Sequence, residues 1–253
     1  MDILKEKCVR SETTLNSIEG LTKSPSPPSD TPPFVRILEM SYAIKEIYTT
    51  LQGEGYHTGR AAVFVRFAGC NLWSGREQDR KDAVCSFCDT DFVGVDGPNG
   101  GKFSSAKDAA RQIVQVWKDA SGKDNSAPFV VCTGGEPLLQ LDQKLIEELH
   151  AMGCYIAIET NGTIEAPDGI DWICVSPKND TPIVQQHGDE LKLVWYQTEA
   201  PPERFDSWKF THFFLQPMDG DDVDRFTREA IDYCRSNPRW RLSLQTHKLL
   251  GIP

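Results

Sequence analysis

Cys70-Asn-Leu-Trp-Ser-Gly-Arg-Glu-Gln-Asp-Arg-Lys-Asp-Ala-Val-Cys85-Ser-Phe-Cys88 is the stretch on which the reading of the fold turns. Its three cysteines stand at spacing C-x14-C-x2-C. Thiolate sulfur holds iron–sulfur clusters, and a cluster normally takes four such ligands. Three thiolates leave one iron of a [4Fe–4S] cube unclaimed, and an open position is what a reactive metal site needs. A structural zinc site with its fourth ligand from His57 or Cys132 also fits this spacing.

Outward from the cysteines, apolar runs alternate with helical patterns. Tyr42–Tyr48 and Ala62–Phe67 read as strands, the second feeding the cysteine loop. The residues 71–84 carry six charges and read as a solvated excursion or short helix. Gly94–Lys102 reads as a glycine-rich loop. Ser105 with Asp108 makes a capping box for a helix reaching about Asp119. Phe129–Cys132 is a strand, ending in Thr133-Gly134-Gly135-Glu136-Pro137. Glycines there let a ligand approach the backbone, although Gly-Gly before a helix is also an ordinary turn. Leu141, Leu145, Leu149 and Met152 share a helix face closed by Gly153. Tyr155–Glu159, Trp172–Ser176, Leu191–Trp195 and Phe213–Gln216 are further strands. Asp221–Asn237 reads as a helix with Val223, Phe226, Ala230 and Tyr233 inward, and Arg241–Gln245 as a last strand. Such alternation implies an α/β fold, a mostly parallel sheet covered by helices. The polar motifs recur at the carboxyl ends of these strands, the face where parallel barrels carry their chemistry.

With Leu51-Gln-Gly-Glu-Gly55, Arg66-Phe-Ala-Gly-Cys70-Asn, Cys88-Asp-Thr-Asp91, Glu159-Thr-Asn-Gly162, Val175-Ser-Pro-Lys178 and Gln245-Thr-His247-Lys, the chain resembles the 7-carboxy-7-deazaguanine synthases. These belong to the radical S-adenosylmethionine (SAM) superfamily. The resemblance covers residues 41–253, and the first cysteine gap is longer than the superfamily's usual C-x3-C. It implies an incomplete, modified radical-SAM (β/α) barrel with a [4Fe–4S] cluster, SAM and Mg²⁺. Cys70, Cys85 and Cys88 would hold the cluster. Phe87, Cys88, Asp89, Gly135, Glu136, Glu159 and Asn161 would line the SAM side. So would Ser176, Pro177, Lys178, Gln216, Pro217, Met218 and Asp219. Leu51, Gln52, Gly53, Glu54, Arg66, Thr133 and His247 would face a pterin substrate. Thr90 offers Mg²⁺ a hard oxygen, and the planar fork of Arg66 suits a carboxylate. The implied reaction takes 6-carboxy-5,6,7,8-tetrahydropterin to 7-carboxy-7-deazaguanine with loss of ammonia, as a lyase of queuosine biosynthesis. Implied partners are an electron donor such as flavodoxin and a second copy in a homodimer. Within the superfamily, a glycyl-radical-activating enzyme is the alternative; outside it, a zinc-stabilised interaction protein.

Composition bounds the rest. The formal net charge is −10, with −9 in residues 41–253, which excludes a nucleic-acid surface built on clustered positive charge. No apolar run reaches the roughly 18 residues of a membrane span. The amino terminus lacks an apolar signal core and is acidic, so a cytoplasmic protein is expected. Cysteines in that compartment are thiols or metal ligands rather than disulfides, and Cys132, Cys154, Cys174 and Cys234 read as buried small hydrophobes. Residues 1–40, with five prolines between Ser24 and Pro33, read as a disordered extension, and Met40 begins the part that resembles the family. At the other end, Leu249–Pro253 is expected to close the substrate pocket, docking through Leu249, Leu250 and Ile252 and offering the Pro253 carboxylate to the substrate beside His247.

Overall fold

The computed structural model describes residues 41–122 and 126–253. The expected proline-rich extension, Cys8 and the boundary at Met40 lie outside the described residues. Strands are β1 (Tyr42–Leu51), β2 (Ala61–Phe67), β3 (Gly101–Phe103), β4 (Phe129–Gly134), β5 (Tyr155–Thr160), β6 (Trp172–Val175), β7 (His187–Trp195), β8 (Lys209–Pro217) and β9 (Trp240–Leu242). Helices are α1 (Ala106–Ser121), α2 (Gln143–Ala151), α3 (Val223–Ser236) and α4 (Thr246–Leu250). One nine-stranded sheet has the order β3-β1-β2-β4-β5-β6-β7-β8-β9. From β2 through β9 every neighbouring pair is parallel, while β1 is antiparallel to both β2 and β3. Among the described residues no pairing joins β3 to β9, so the barrel is open, as the fold reading expects.

Side-chain alternation along the strands builds two different faces. On one, Val63, Val65, Val130, Cys132, Ile156 and Ile158 pack against Ile113, Val116, Leu145 and Leu149 of α1 and α2. Each such side chain contributes roughly 1.5–3 kcal/mol on burial. On the other, Ala62, Phe129, Val131 and Ala157 point into the lumen. The capping box holds: Ser105 Oγ accepts from the Asp108 N–H at 3.1 Å, worth about 1 kcal/mol. Asp142 caps α2 in the same way, accepting from Leu145 N–H at 3.0 Å.

Four expectations need correction. The loop expected at Gly94–Lys102 ends in a strand, β3, because Asn99 and Gly101 turn the chain back onto β1 and Gly100 packs where a Cβ would lie 2.1 Å from Lys45 O. β7 and β8 begin earlier than their apolar cores, since the polar start His187–Glu190 pairs with Lys209–His212. In α3 only Ala230 is buried and Val223 is exposed, because the helix covers β8 and the edge strand β9, and β9 is three residues long. The last strand stops at Leu242; Thr246, whose N–H and hydroxyl both reach Gly53 O, starts α4 instead.

Candidate active site

Two cavities open at the carboxyl ends of the parallel strands. The first, of about 190 Å³, is lined by Cys70, Cys85 and Cys88. All three are free thiols. Cys70 follows β2, and the glycines after β4 allow its close approach. A Cβ on Gly135 would sit 2.2 Å from Gly69 O, and one on Gly134 2.3 Å from Phe67 O. Gly134 also takes φ 141°, which favours glycine. The N–H groups of Gly135 and Glu136 donate to Phe67 O and Gly69 O, so this motif straps the cysteine loop to the sheet.

Phe87, Asp89, Gly135, Glu159, Asn161, Ser176, Lys178, Gln216, Pro217, Met218 and Asp219 line the same cavity. Pro177 and Glu136 do not. Glu136 is fully buried: Oε1 accepts from Leu138 N–H and the Thr160 hydroxyl, Oε2 from Asn161 N–H. Burial pushes its carboxyl up, against these hydrogen bonds and Lys178. Its place in the motif is to join the ends of β4 and β5, which turns Asn161 toward Asn71 beside Cys70 (2.9 Å).

The second cavity, of about 300 Å³, is lined by Leu51, Gln52, Gly53, Glu54, Arg66, Thr133, His247 and Pro253. Glu54, Asp89, Thr90, Thr133, Glu159 and Gln245 line both cavities and form their common wall. Glu159 therefore stands between the two rather than on one side. Lys192 holds this wall together from β7, donating to Glu54 Oε2 and Glu159 Oε2 at 2.7 Å each. Burial pushes the Glu54 carboxyl up, but Lys192 and the Gln245 amide outweigh it and hold it at about 2. Burial alone lowers a lysine, yet Glu159 and Glu54 raise Lys192 well above its ordinary value. Arg66 is oriented by Glu46 (2.7 Å) and the Tyr48 hydroxyl (2.9 Å).

The tail over this cavity is helical. α4 sets His247 against Gly53, where a Cβ would lie 2.2 Å from Nδ1. Gly251, left-handed at φ 64°, ends the helix, and the Thr50 hydroxyl donates to Pro253 O at 2.7 Å. Leu249 and Leu250, expected to dock, are 75% and 64% exposed because this turn points them outward; Ile252 is half-buried. Lys248 bridges Asp89 Oδ2 (2.6 Å) and Asp219 Oδ2 (2.7 Å), tying the tail to the cysteine loop and to β8. Lys192, Gln245 and Lys248 are absent from the sequence-based site. The motif Gln245-Thr-His247-Lys contained two of them.

Three free thiols on one cavity are the ligand chemistry of an iron–sulfur cluster. Among the described residues no three His, Cys, Asp or Glu side chains converge closely enough to seat one metal ion. The fourth zinc ligands considered from sequence point elsewhere: Cys132 into the helix-covered core, His57 against Phe129 and Trp172 at the opposite strand ends.

An open parallel barrel with three thiols in a cavity at its carboxyl ends defines the class: a radical SAM fold. QueE from Escherichia coli superposes with a TM-score of 0.59 at 27% identity, covering 81% of this chain and 93% of that one. A scan of protein-family models finds no match. The 7-carboxy-7-deazaguanine synthase of Caulobacter vibrioides is 62% identical over 214 residues, 85% of this chain and 100% of the relative. That of Bradyrhizobium diazoefficiens is 61% identical over 213 residues, 84% of this chain and 100% of the relative. The chain belongs to the 7-carboxy-7-deazaguanine synthase family.

Proposed function

We propose that the chain converts 6-carboxy-5,6,7,8-tetrahydropterin to 7-carboxy-7-deazaguanine with loss of ammonia, on the route to queuosine-type deazapurines. The observation that carries this is the doubled cavity with one common wall, thiols on one side and Arg66, His247 and Pro253 on the other. Cys70, Cys85 and Cys88 would hold the [4Fe–4S] cluster, and the walls beside them would take SAM. When bound there, cluster and SAM would supply the radical chemistry that opens the pterin to rearrangement. The protein's own work is to hold the pterin across the wall and exclude water. Arg66, kept in one orientation by Glu46 and Tyr48, is the partner for the pterin carboxylate. Glu54 stays ionised beside Lys192 and can accept from ring N–H groups. Pro253 O is a further acceptor on this cavity, which His247 also lines.

Thr90, on both cavities, is our candidate Mg²⁺ ligand, with water and substrate oxygens completing the shell. A protein substrate, as glycyl-radical activation requires, asks for an open groove, whereas here His247 and Lys248 of α4 line the second cavity and Lys248 is pinned to Asp89. Family likeness supports a flavodoxin-type donor and a homodimer, the acidic amino terminus without an apolar core supports a cytoplasmic location, and the net charge of −10 supports a role without nucleic acid. The deciding experiment is an anaerobic assay with 6-carboxytetrahydropterin, SAM and dithionite. We expect deazaguanine formation without net consumption of SAM. Stoichiometric SAM cleavage with no deazaguanine would sink the reading.

A further inference from the structure

The fourteen residues between Cys70 and Cys85 fold back onto the cysteine turn through one side chain. Glu77–Asp82 forms a 3-10 turn with no residue in the core. From it Arg80 Nη1 donates to Ser86 O and to Cys88 O, each at 2.9 Å. Its Nε is held by the Glu77 carboxylate at 2.9 and 2.8 Å. The guanidinium lies 4.2 Å from the centre of the Trp73 ring. Trp73 is buried, lines the cysteine cavity and stands edge-on to Phe92. Arg80 is therefore gripped by a carboxylate, a ring and two carbonyls at once.

A solvated charge run requires none of this, since exposed ion pairs contribute about 0–1 kcal/mol and leave long side chains free. Peptide groups are planar and trans, so an amide N–H points opposite to its C=O. Capture of the Ser86 and Cys88 carbonyls turns the N–H groups of Phe87 and Asp89 away from Arg80. One nitrogen, Nη1, serves both carbonyls while Nε holds the Glu77 carboxylate, so only a planar group with donors on several nitrogens meets carbonyls, carboxylate and ring together. The cations that line the cavity are Lys178, which donates to the Ser176 hydroxyl and also acts on Cys85 and Cys88 through its charge, and Lys192; Arg80 is the cation that hydrogen-bonds the turn itself.

We infer that Arg80 is a positioning residue for the cluster: it holds the Cys85–Cys88 turn in ligating shape and sets a permanent positive charge beside it, favouring the reduced state. This rests on the cluster reading above. The two effects separate chemically. Lysine keeps the charge but loses the planar group that meets Glu77, Trp73 and the two carbonyls together; glutamine loses the charge as well.

The test uses the full chain, reconstituted anaerobically with iron and sulfide, as wild type, Arg80→Lys, Arg80→Gln and Cys85→Ala. Iron content, the midpoint potential followed by electron paramagnetic resonance, iron loss to a chelator and thermal melting are read. In Arg80→Gln the reduced-to-oxidised ratio at a fixed poise should fall about tenfold, with faster iron loss. In Arg80→Lys the ratio should stay within about twofold of wild type while iron is lost as fast as from the glutamine variant. If Arg80→Gln melts too low to load, the lysine variant still decides: wild-type iron retention overturns the clamp. Wild-type potential and retention in the glutamine variant overturn the role of Arg80 altogether. A wild-type chain that takes up no more iron than Cys85→Ala overturns the cluster reading instead.

Discussion

The two ends of the lumen are built by the same strands and share almost no chemistry. At the carboxyl ends stand Thr133, Glu159, Ser176 and Gln216 around Lys192; at the amino ends stand Phe129, Tyr155, Trp172 and His212. Each upper residue is four positions beyond a lower one, hence on the same face and about 13 Å away. The lower end is stuffed with rings: Tyr56 stacks on His212 (4.3 Å), His57 meets Trp172 edge-on (4.4 Å), and Arg60 lies 3.8 Å over Phe129. The β1–β2 loop serves both ends, sending Glu54 up to Lys192 and Tyr56 and His57 down into the rings. A parallel sheet thus gives the chemistry one end and lets packing close the other.

The largest expected effect tests which cysteines belong to the open end. Cys70→Ala, Cys85→Ala or Cys88→Ala should abolish cluster loading and turnover. Cys132→Ala and Cys154→Ala, in the helix-covered core, and Cys174→Ala, buried in the wall, should load iron like wild type. Iron and sulfide per chain decide it, and a full complement in Cys85→Ala would defeat the assignment.

Next in size is the charged wall. Lys192→Met leaves Glu54 and Glu159 facing each other without their shared cation, at a cost of about 3–5 kcal/mol. Chemical denaturation should report it, and substrate binding should fail at temperatures where the protein is still folded. Adding Glu159→Gln to that variant should return stability but not activity. Unchanged denaturation of the single variant would mean that the wall is not held by its charges.

What was legible in the chain follows the same division. Spacing exposed the three cysteines, and period-two alternation with helix caps exposed most strands and α1, because those signals are local. Lys192 was hidden inside Leu191–Trp195, where a lone lysine in an apolar strand carries no mark of its two partners, 138 and 33 residues away. Glu136 belongs to its motif by sequence, yet its oxygens are used by the end of β5 and its own turn, a fact of tertiary packing. β3 is three residues long and gains its identity only from β1. Arg80 looked like one charge among six, because its carbonyl partners are set by the fold of the loop.

At the ring-filled end the effect should be structural alone. Trp172 touches Tyr56, His57 and His212 and is only half-buried, so Trp172→Ala should cost about 3 kcal/mol, the low end for a large aromatic truncation. Well below the melting temperature, iron content and substrate KM should match wild type. A raised KM there would show that the two ends are mechanically coupled.

The smallest effect probes the boundary between them. Glu190, on β7, is 3% exposed, with Oε2 accepting the Tyr56 N–H at 3.1 Å and, among the described residues, no hydrogen-bond partner for Oε1. Gly55 packs so close that a Cβ would lie 1.9 Å from Oε1. Burial pushes the carboxyl up to about 7, with Lys192 pulling it down and Glu159 pushing it further up; the side chains of Trp172 and Cys174 adjoin it. A carboxyl raised on folding binds its proton more tightly in the native state than in the unfolded chain. Its contribution is therefore complete below the unfolded value of 4.5 and is lost as pH rises through about 7. Glu54 acts in another window: lowered from 4.5 to about 2, it contributes above 4.5 and loses that contribution as pH falls. Between pH 5 and 7, then, wild type should lose about 2 kcal/mol that Glu190→Gln does not lose, since glutamine stays neutral and still accepts from Tyr56. Denaturation midpoints of both proteins across that range measure it. Parallel curves would mean that Glu190 enters the fold already ionised, and that the charged end of the lumen reaches further down than the rings suggest.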